Sequence, residues 1–279
     1  MTSGGGDPPG TVHVVVPDGV DDPARPSGGN VYDRRLCREL AALGRTVREH
    51  TASRGDAGDA GLARVLRGLP DGAVVLVDGL LASPAPAAVV PEAGRLRLVV
   101  LLHMPLAETV AEEEVALRER AVLTSAHAVV TTSRWARRWV VDHHGVAPRR
   151  VHVAEPGADP GPVAPGTARG GALLCVGAVT AIKGHDTLVT ALAALADLDW
   201  HCTCVGATDL EPAYVADLRS TARRAGIADR LHLVGPLPPR RLEELRSGAD
   251  LVVSPSRHES YGMAVTEGCL LYTSDAADE

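Results

Sequence analysis

Residues 172–195 read ALLCVGAVTAIKGHDTLVTALAAL. Ala172–Val176 is apolar throughout, Gly177 interrupts the run, and Leu188, Leu192 and Leu195 then recur at helical spacing. A short strand without polar alternation, followed by an amphipathic helix, is the repeating unit of a parallel sheet covered on both faces. The same unit recurs outward in both directions. Toward the N-terminus the pattern predicts strands at Val12–Val16, Thr46–His50, Ala73–Val77, Leu98–Leu102, Ala128–Thr131 and Val151–Ala154. A first helix carries Tyr32, Leu36, Leu40 and Leu43 on one face and stops at Gly44. Further helices fall near Leu62–Leu69, Glu112–Leu123 and Trp135–Val141. Toward the C-terminus come strands at Trp200–Val205, Arg230–Val234 and Leu251–Ser254, with helices near Leu218 and Ala222 and at Leu242–Leu245. Between Gly157 and Gly171 the chain is rich in Gly, Pro and Ala without periodicity, as linkers are. The fold class is therefore α/β, with two Rossmann-like αβα domains in tandem, residues 11–156 and 172–268, joined by a linker at 157–171.

The 279 residues are 45% hydrophobic and 23% charged, which is enough apolar material for a sizeable core. The formal charge is −7 and no basic stripe is visible, which argues against a nucleic-acid partner. There is no run of about 20 apolar residues to span a membrane, so only peripheral membrane contact is left open. Residues 1–10 lack a basic start followed by an apolar run and read as a flexible tail rather than a signal peptide. The five cysteines, Cys37, Cys175, Cys202, Cys204 and Cys269, follow no zinc spacing. Cys202 and Cys204 share one face of a strand, and with Cys175 in another apolar run they read as buried free thiols in a reducing cytoplasm. Residue usage is skewed as GC-rich codons would skew it. Phe and Gln are absent, Asn30 is the only asparagine and Lys183 the only lysine.

Ligands of parallel α/β sheets bind at the carboxyl ends of the strands, so the loops there decide the chemistry. After the first strand comes Gly28-Gly29-Asn30 at a helix start, where paired glycines let backbone approach a phosphate or a sugar oxygen. The pattern G-x-G-x-x-G does not occur, which weighs against a nicotinamide or flavin site. His103 leaves an apolar strand at the ligand edge, and suits hydrogen bonding or proton handling as well as a structural role. Lys183 stands six residues past Gly177 at a helix start, where an ammonium suits a diphosphate leaving group; a plain surface lysine is the alternative. Finally, Ser254-Pro255-Ser256-Arg257-His258-Glu259-Ser260-Tyr261-Gly262-Met263 leads into a helix bearing Glu267. Glu259 and Glu267 bracket seven residues. One carboxylate can accept sugar hydroxyls and the other ribose hydroxyls, with the amides of Ser260 to Met263 toward phosphate.

These motifs resemble the retaining family-4 glycosyltransferases of the GT-B fold, over about Thr11 to Gly268 and most strongly at Val176–Leu188 and Ser254–Gly268. Glu155-Pro156-Gly157-Ala158-Asp159 is similar to that family's interdomain turn, and Thr131-Thr132-Ser133 to the strand end before it. The resemblance implies transfer of a sugar from a nucleotide-diphosphate sugar to an acceptor hydroxyl, with retention and with no protein nucleophile. It implies catalytic roles for His103, Lys183 and Glu259. Donor contacts would come from Gly28, Gly29, Asn30, Gly177, Lys183, Glu259, Ser260, Tyr261, Gly262, Met263 and Glu267. No metal and no cofactor besides the donor is implied. The acceptor, a small molecule, a glycan or a lipid-linked compound, stays undefined. Where the family often has Arg directly after the strand glycine this chain has Ala178, so one leaving-group cation is missing unless Arg257 or helix amides replace it.

A nucleotide-sugar epimerase or a phosphorylase of the same architecture is a second reading, and a non-catalytic nucleotide-sugar-binding remnant a third. A phosphorylase would need a cofactor lysine, and the only lysine is already assigned. The second domain stops after four strands and the start of one more helix, where an open doubly wound sheet usually has about six strands. The last eleven residues, Cys269–Glu279, look like the conceptual translation of a sequencing adapter. The expectation is a C-terminally truncated transferase, inactive in this form.

Overall fold

The apolar run Thr11–Pro17 becomes β1, buried along nearly its whole length. Parallel strands with helices on both faces must be apolar on both sides, and β1 lies inside such a sheet. The computed structural model describes residues 7–53, 56–110, 112–159 and 163–270. The chain divides into two compact units: residues up to Val20 with Gly29–Pro156, and Asp21–Gly28 with the residues from Gly157 on.

In the first unit β1 is followed by α1 (Gly28–Ala42), β2 (Thr46–Ala52), α2 (Asp56–Arg67), β3 (Val74–Asp78) and the short helices α3 (Gly79–Ala82) and α4 (Pro86–Val89). Then come β4 (Arg97–Leu102), α5 (Leu106–Thr109), α6 (Glu113–Ser125), β5 (Ala128–Thr131), α7 (Arg134–His144) and β6 (Val151–Val153). All six strands are parallel, in the order β2-β1-β3-β4-β5-β6. The chain grows outward from β1 to β2, then crosses back to β3. That reversal puts a switch point between β1 and β3, where the loops at the carboxyl edge diverge. Strand β2 lies at the sheet edge and reads TVREHTA, with exposed charged residues that discourage pairing with another chain. Leu62 and Leu66 of α2 pack with Leu98, Leu102, Val122 and Leu123 in the main core.

One helix departs from the expected pattern. The face Tyr32, Leu36, Leu40, Leu43 is not the buried one, for Leu43 is 76% exposed. The buried residues of α1 are Asn30, Asp33 and Cys37, which also recur at helical spacing. Hydrophobicity marks the wrong stripe here because the buried one carries polar side chains with partners of their own.

The second unit runs β7 (Ala172–Val176), α8 (His185–Ala194), β8 (His201–Val205), α9 (Pro212–Arg224), β9 (Leu231–Gly235), α10 (Pro239–Ser247), β10 (Leu251–Val252) and α11 (Met263–Cys269). Its parallel sheet has the order β10-β7-β8-β9, so the switch point lies between β7 and β10. Strand β10 is shorter than the expected Leu251–Ser254. It is an edge strand, and Leu251 is half exposed. The irregular segment before β7 is tied down by Asp250, which accepts from Thr167 Oγ1 at 2.6 Å and from the Ala172 amide at 2.8 Å.

Of the expected N-terminal tail, residues 1–6 lie outside the described residues. Asp7 is anchored, with Oδ2 2.6 Å from His13 Nε2 on β1. Residues 271–279 of the adapter-like segment also lie outside the described residues. Helix α11 itself continues to Cys269, one residue past the boundary drawn at 268.

Candidate functional site

At the switch point of the second unit two loops leave the carboxyl edge side by side, Gly177–Gly184 after β7 and the segment from Val253 to Gly262 after β10. They touch backbone to backbone. Gly184 has φ +66°, and a Cβ there would lie 2.1 Å from the Pro255 carbonyl oxygen, so only glycine fits. The Arg257 amide donates to the Ile182 carbonyl at 2.9 Å, a second stitch between the loops. This contact brings two of the expected residues together: Lys183 Nζ lies 2.6 Å from Glu259 Oε1, with both side chains about a third exposed or less. The Lys183 stem passes Gly177, where a Cβ would sit 3.9 Å from its Cδ. A cation held by a carboxylate at a switch point is ready to exchange that partner for a phosphate.

The remaining loop residues lie in sequence around this pair. Ser260 and Tyr261 are half-buried, Gly262 is the left-handed residue preceding α11, and Met263 is its first residue. Glu267 stands one turn into α11. Its carboxylate pairs with Arg246 of α10. Arg257, the residue considered as a replacement for the charge missing at Ala178, is already paired. It forms a two-pronged pair with Asp186 at 3.0 and 2.6 Å, reinforced by the Tyr214 hydroxyl donating to Asp186 at 2.7 Å. The hydrogen bonds from Arg257 and Tyr214 hold the Asp186 carboxyl well below the usual carboxylate range. Arg257 thus fastens the second loop to the first turn of α8.

The first unit has its own polar cluster at its carboxyl edge. Gly29 lies against the His103 ring, where a Cβ would meet Cδ2 at 3.2 Å. Asn30 is buried one residue further along α1, and Gly28 opens that helix. His103 follows β4, and its carbonyl accepts from Thr132 Oγ1 at 3.1 Å. Its Nε2 donates to Asp33 Oδ1 at 2.8 Å and lies 3.8 Å from Asp78 Oδ2. Asp33 and Asp78 are both buried. Burial, the largest influence, pushes the His103 imidazole down, but the hydrogen bond and charge of Asp33 and the charge of Asp78 outweigh it and hold it above its ordinary value. Burial, helped by Asp33, lifts the Asp78 carboxyl to about 7 although His103 and the Leu80 amide pull it down. The three groups lie close enough to share an ion. Within the group, His103 and Asp33 are joined by a direct hydrogen bond.

Sequence reasoning found His103 but missed Asp33, Asp78 and Arg246. A polar residue at the helical spacing 30, 33, 37 and an acid ending the apolar run of β3 were the available signals. Asp197-Leu198-Asp199 is an Asp-x-Asp triplet, but it precedes β8 and so sits at the amino edge of the sheet, opposite these loops.

The Asp78 carboxyl has a measurable consequence. Between its unfolded value of 3.8 and about 7, the fold keeps a proton that the unfolded chain releases, so stability falls as pH rises through that window. His103 adds to the same slope, since a raised imidazole also loses its contribution with rising pH. Asp78→Asn keeps the acceptor for the Leu80 amide, bonded at 2.5 Å. The variant is expected to match the wild type near pH 4 and to exceed it at pH 8 by about 2 kcal/mol, part of the gain being offset by the lost partner of His103. Urea melts at the two pH values check this, and equal differences at both would refute it.

Comparison with known proteins places the second unit among described families. Residues 169–271 match the glycosyl transferases, group 1. Both loops of the cleft, with Lys183, Glu259 and Glu267, lie inside the group 1 match. The D-inositol 3-phosphate glycosyltransferase of Xylanimonas cellulosilytica is 30% identical over 166 residues, 53% of this chain and 40% of that protein. Its counterpart in Geodermatophilus obscurus is 33% identical over 171 residues, 53% of this chain and 37% of that protein. The chain spans about two fifths of the length of the curated relatives it matches. Among solved structures, sucrose-phosphate synthase from Thermosynechococcus elongatus superposes with a TM-score of 0.73 at 20% identity, over 94% of this chain and 79% of that one. Anabaena Alr3699/HepE in complex with UDP-glucose gives 0.72 at 18% identity, over 94% and 78%. These likenesses show the fold, α/β with two Rossmann-like units of the GT-B class, which is the class expected from the sequence. No helix among the described residues is long and apolar enough to cross a membrane.

Proposed function

We propose that the protein is a retaining glycosyltransferase that takes a nucleotide-diphosphate sugar and passes the sugar to an acceptor hydroxyl. The observation that carries this reading is the Lys183–Glu259 pair at the switch point of the second unit, 2.6 Å apart inside the group 1 match. In the reading, Lys183 moves from Glu259 to the donor diphosphate and stabilises the negative charge that grows on it as the glycosidic bond breaks. Glu259, released, accepts hydroxyls of the donor sugar, and Glu267 accepts those of the ribose. The amides of Ser260 to Met263 complete the donor site. His103, oriented by Asp33, serves as a hydrogen-bonding group of the first unit. The departing phosphate takes the acceptor proton, so no side chain acts as nucleophile, and no divalent metal is called for.

Relatives named for D-inositol 3-phosphate and a neighbour solved with UDP-glucose make a phosphorylated polyol and UDP-glucose the first pair to assay. A second reading, donor binding without transfer, is favoured by Ala178 and by the commitment of Arg257 to Asp186, which leave Lys183 as the one assigned leaving-group cation.

Glu259→Gln tests the reading. Without the competing carboxylate the ammonium is free, so UDP alone should bind about 3- to 10-fold more tightly. The same variant should lose the extra affinity that a sugar adds and transfer little or none. Calorimetric titration with UDP, GDP and UDP-glucose, alongside product mass analysis, reads both effects. Tight donor binding by the wild type without product selects the second reading; a wild type that binds no nucleotide sinks both.

A further inference from the structure

A second cluster lies beneath the loop that carries Lys183. Cys175 of β7 and Cys204 of β8 are register partners on adjacent strands. His185, the first residue of α8, reaches down onto them. One side-chain atom from each of the three lies within 4.8 Å of the other two. All three residues are at most 2% exposed. The Cys175 Sγ–His185 Nε2 distance is 3.7 Å. A tetrahedral zinc ion with bonds of about 2.3 Å to sulfur and about 2.1 Å to nitrogen spaces those two ligands about 3.6 Å apart. Cys202 is fully buried two residues before Cys204, on the same face of β8, and its side chain interacts with that of Cys204. His185 Nδ1 is buried and has no hydrogen-bond partner among the described residues. The nitrogen that faces the two thiols is Nε2, so a metal bound here would take Nε2 as its ligand.

We propose that Cys175, Cys204 and His185 form a binding site for a thiophilic d10 cation, Zn2+ or Cu+. Thiolate and imidazole are the donors that select these ions over Mg2+ or Ca2+. Binding displaces the two thiol protons of Cys175 and Cys204 to solvent, forms two metal–sulfur bonds and one metal–nitrogen bond, and involves no redox change. With Zn2+ the two thiolates leave the buried site neutral. The ion would join β7 and β8 to the start of α8, two residues after Lys183, and so act as an internal clamp. The spacing of the cysteines along the chain hides the site because its ligands come from three elements.

The test uses the full chain, reduced and stripped of metal, with Co2+ as the optical probe. One equivalent of Co2+ should produce the thiolate-to-cobalt charge-transfer band and the intense visible bands of a tetrahedral site, and Zn2+ should bleach them. Cu+ delivered against a competing chelator forms the second arm and decides which ion binds more tightly. One equivalent of Zn2+ should also raise the melting temperature by several degrees. Cys175→Ser and Cys204→Ser should abolish both effects, whereas Cys37→Ser and Cys269→Ser should keep them. Folded wild-type protein that gives no charge-transfer band and no thermal shift overturns the proposal. So does a band that survives in Cys175→Ser. Because the wild-type measurement stands alone, a misfolded variant does not shield the proposal.

Discussion

Lys183→Ala is expected to weaken binding of a nucleotide-diphosphate sugar about 100-fold, and to lower any transfer by about 1,000-fold. An ammonium has three donors; without a ligand Glu259 holds one of them at 2.6 Å, and once Glu259 is released all three can serve phosphate oxygens. A charge-assisted hydrogen bond contributes about 1.5–3 kcal/mol, or roughly a factor of 10 to 150 in affinity. Alanine removes that contribution and also strands Glu259 next to the phosphates with nothing to neutralise it. The two effects act in one direction and are coupled, so they should not add simply. Lys183→Ala combined with Glu259→Gln should therefore recover part of the lost UDP affinity. The larger loss in transfer follows because charge on the leaving phosphate grows toward the transition state, where the ammonium matters most. Calorimetry on the wild type, the two single variants and the double variant closes the cycle. Unchanged UDP affinity in Lys183→Ala would remove the lysine from the donor site.

How much of this could be read from the residues depends on how each signal is carried along the chain. Strands such as Ala172–Val176 and Ala128–Thr131 were legible to the residue because both of their faces are buried, leaving an unbroken apolar run. The Lys183–Glu259 contact could be anticipated because each residue sits in a contiguous motif that follows a strand. Asp33 and Asp78 could not be, since each is a lone acid, and it is folding that brings both to His103. The same limitation concealed the Cys175, His185 and Cys204 cluster. The stripe of α1 was misread for a related reason: the residues facing the interior are Asn30, Asp33 and Cys37, and hydrophobicity cannot identify a buried face that is partly polar. The pairing of Arg257 with Asp186 was also beyond the sequence, because the two residues lie 71 positions apart.

Glu119 was invisible in the same way, and its removal is the expected change with the largest effect on the fold. It lies on α6 with no exposed surface. Its Oε1 accepts from Ser83 Oγ and the Leu106 amide, each at 2.9 Å. Its Oε2 accepts from the Ala107 amide at 3.1 Å and His144 Nε2 at 3.0 Å. Burial opposes the charge, but the bonds from His144, the two amides and Ser83 outweigh it and keep the carboxyl below its ordinary value. A lowered carboxyl contributes stability above its unfolded value of 4.5, and that contribution is lost as pH falls through the folded value. Glu119→Ala leaves four donors in the core without an acceptor, including a histidine, and should cost the first unit about 3–5 kcal/mol near pH 7. Glu119→Gln keeps the volume and accepts at one end only, so it should cost about 1–3 kcal/mol. The residue also caps the start of α5, just after His103, so its loss should loosen the histidine that Asp33 orients. Trp135 and Trp139 lie on α7 beside this network, and Trp139 stacks on His143 at 4.5 Å. Trp200 is buried in the second unit, so in a Trp200→Phe background tryptophan fluorescence during urea unfolding reports on the first unit. The midpoint should move most for Glu119→Ala, less for Glu119→Gln, and the gap from wild type should narrow toward pH 4. A gap that instead widens toward pH 4 would mean that the network is held together by protonated Glu119, and a constant gap would mean that folding does not shift the carboxyl at all.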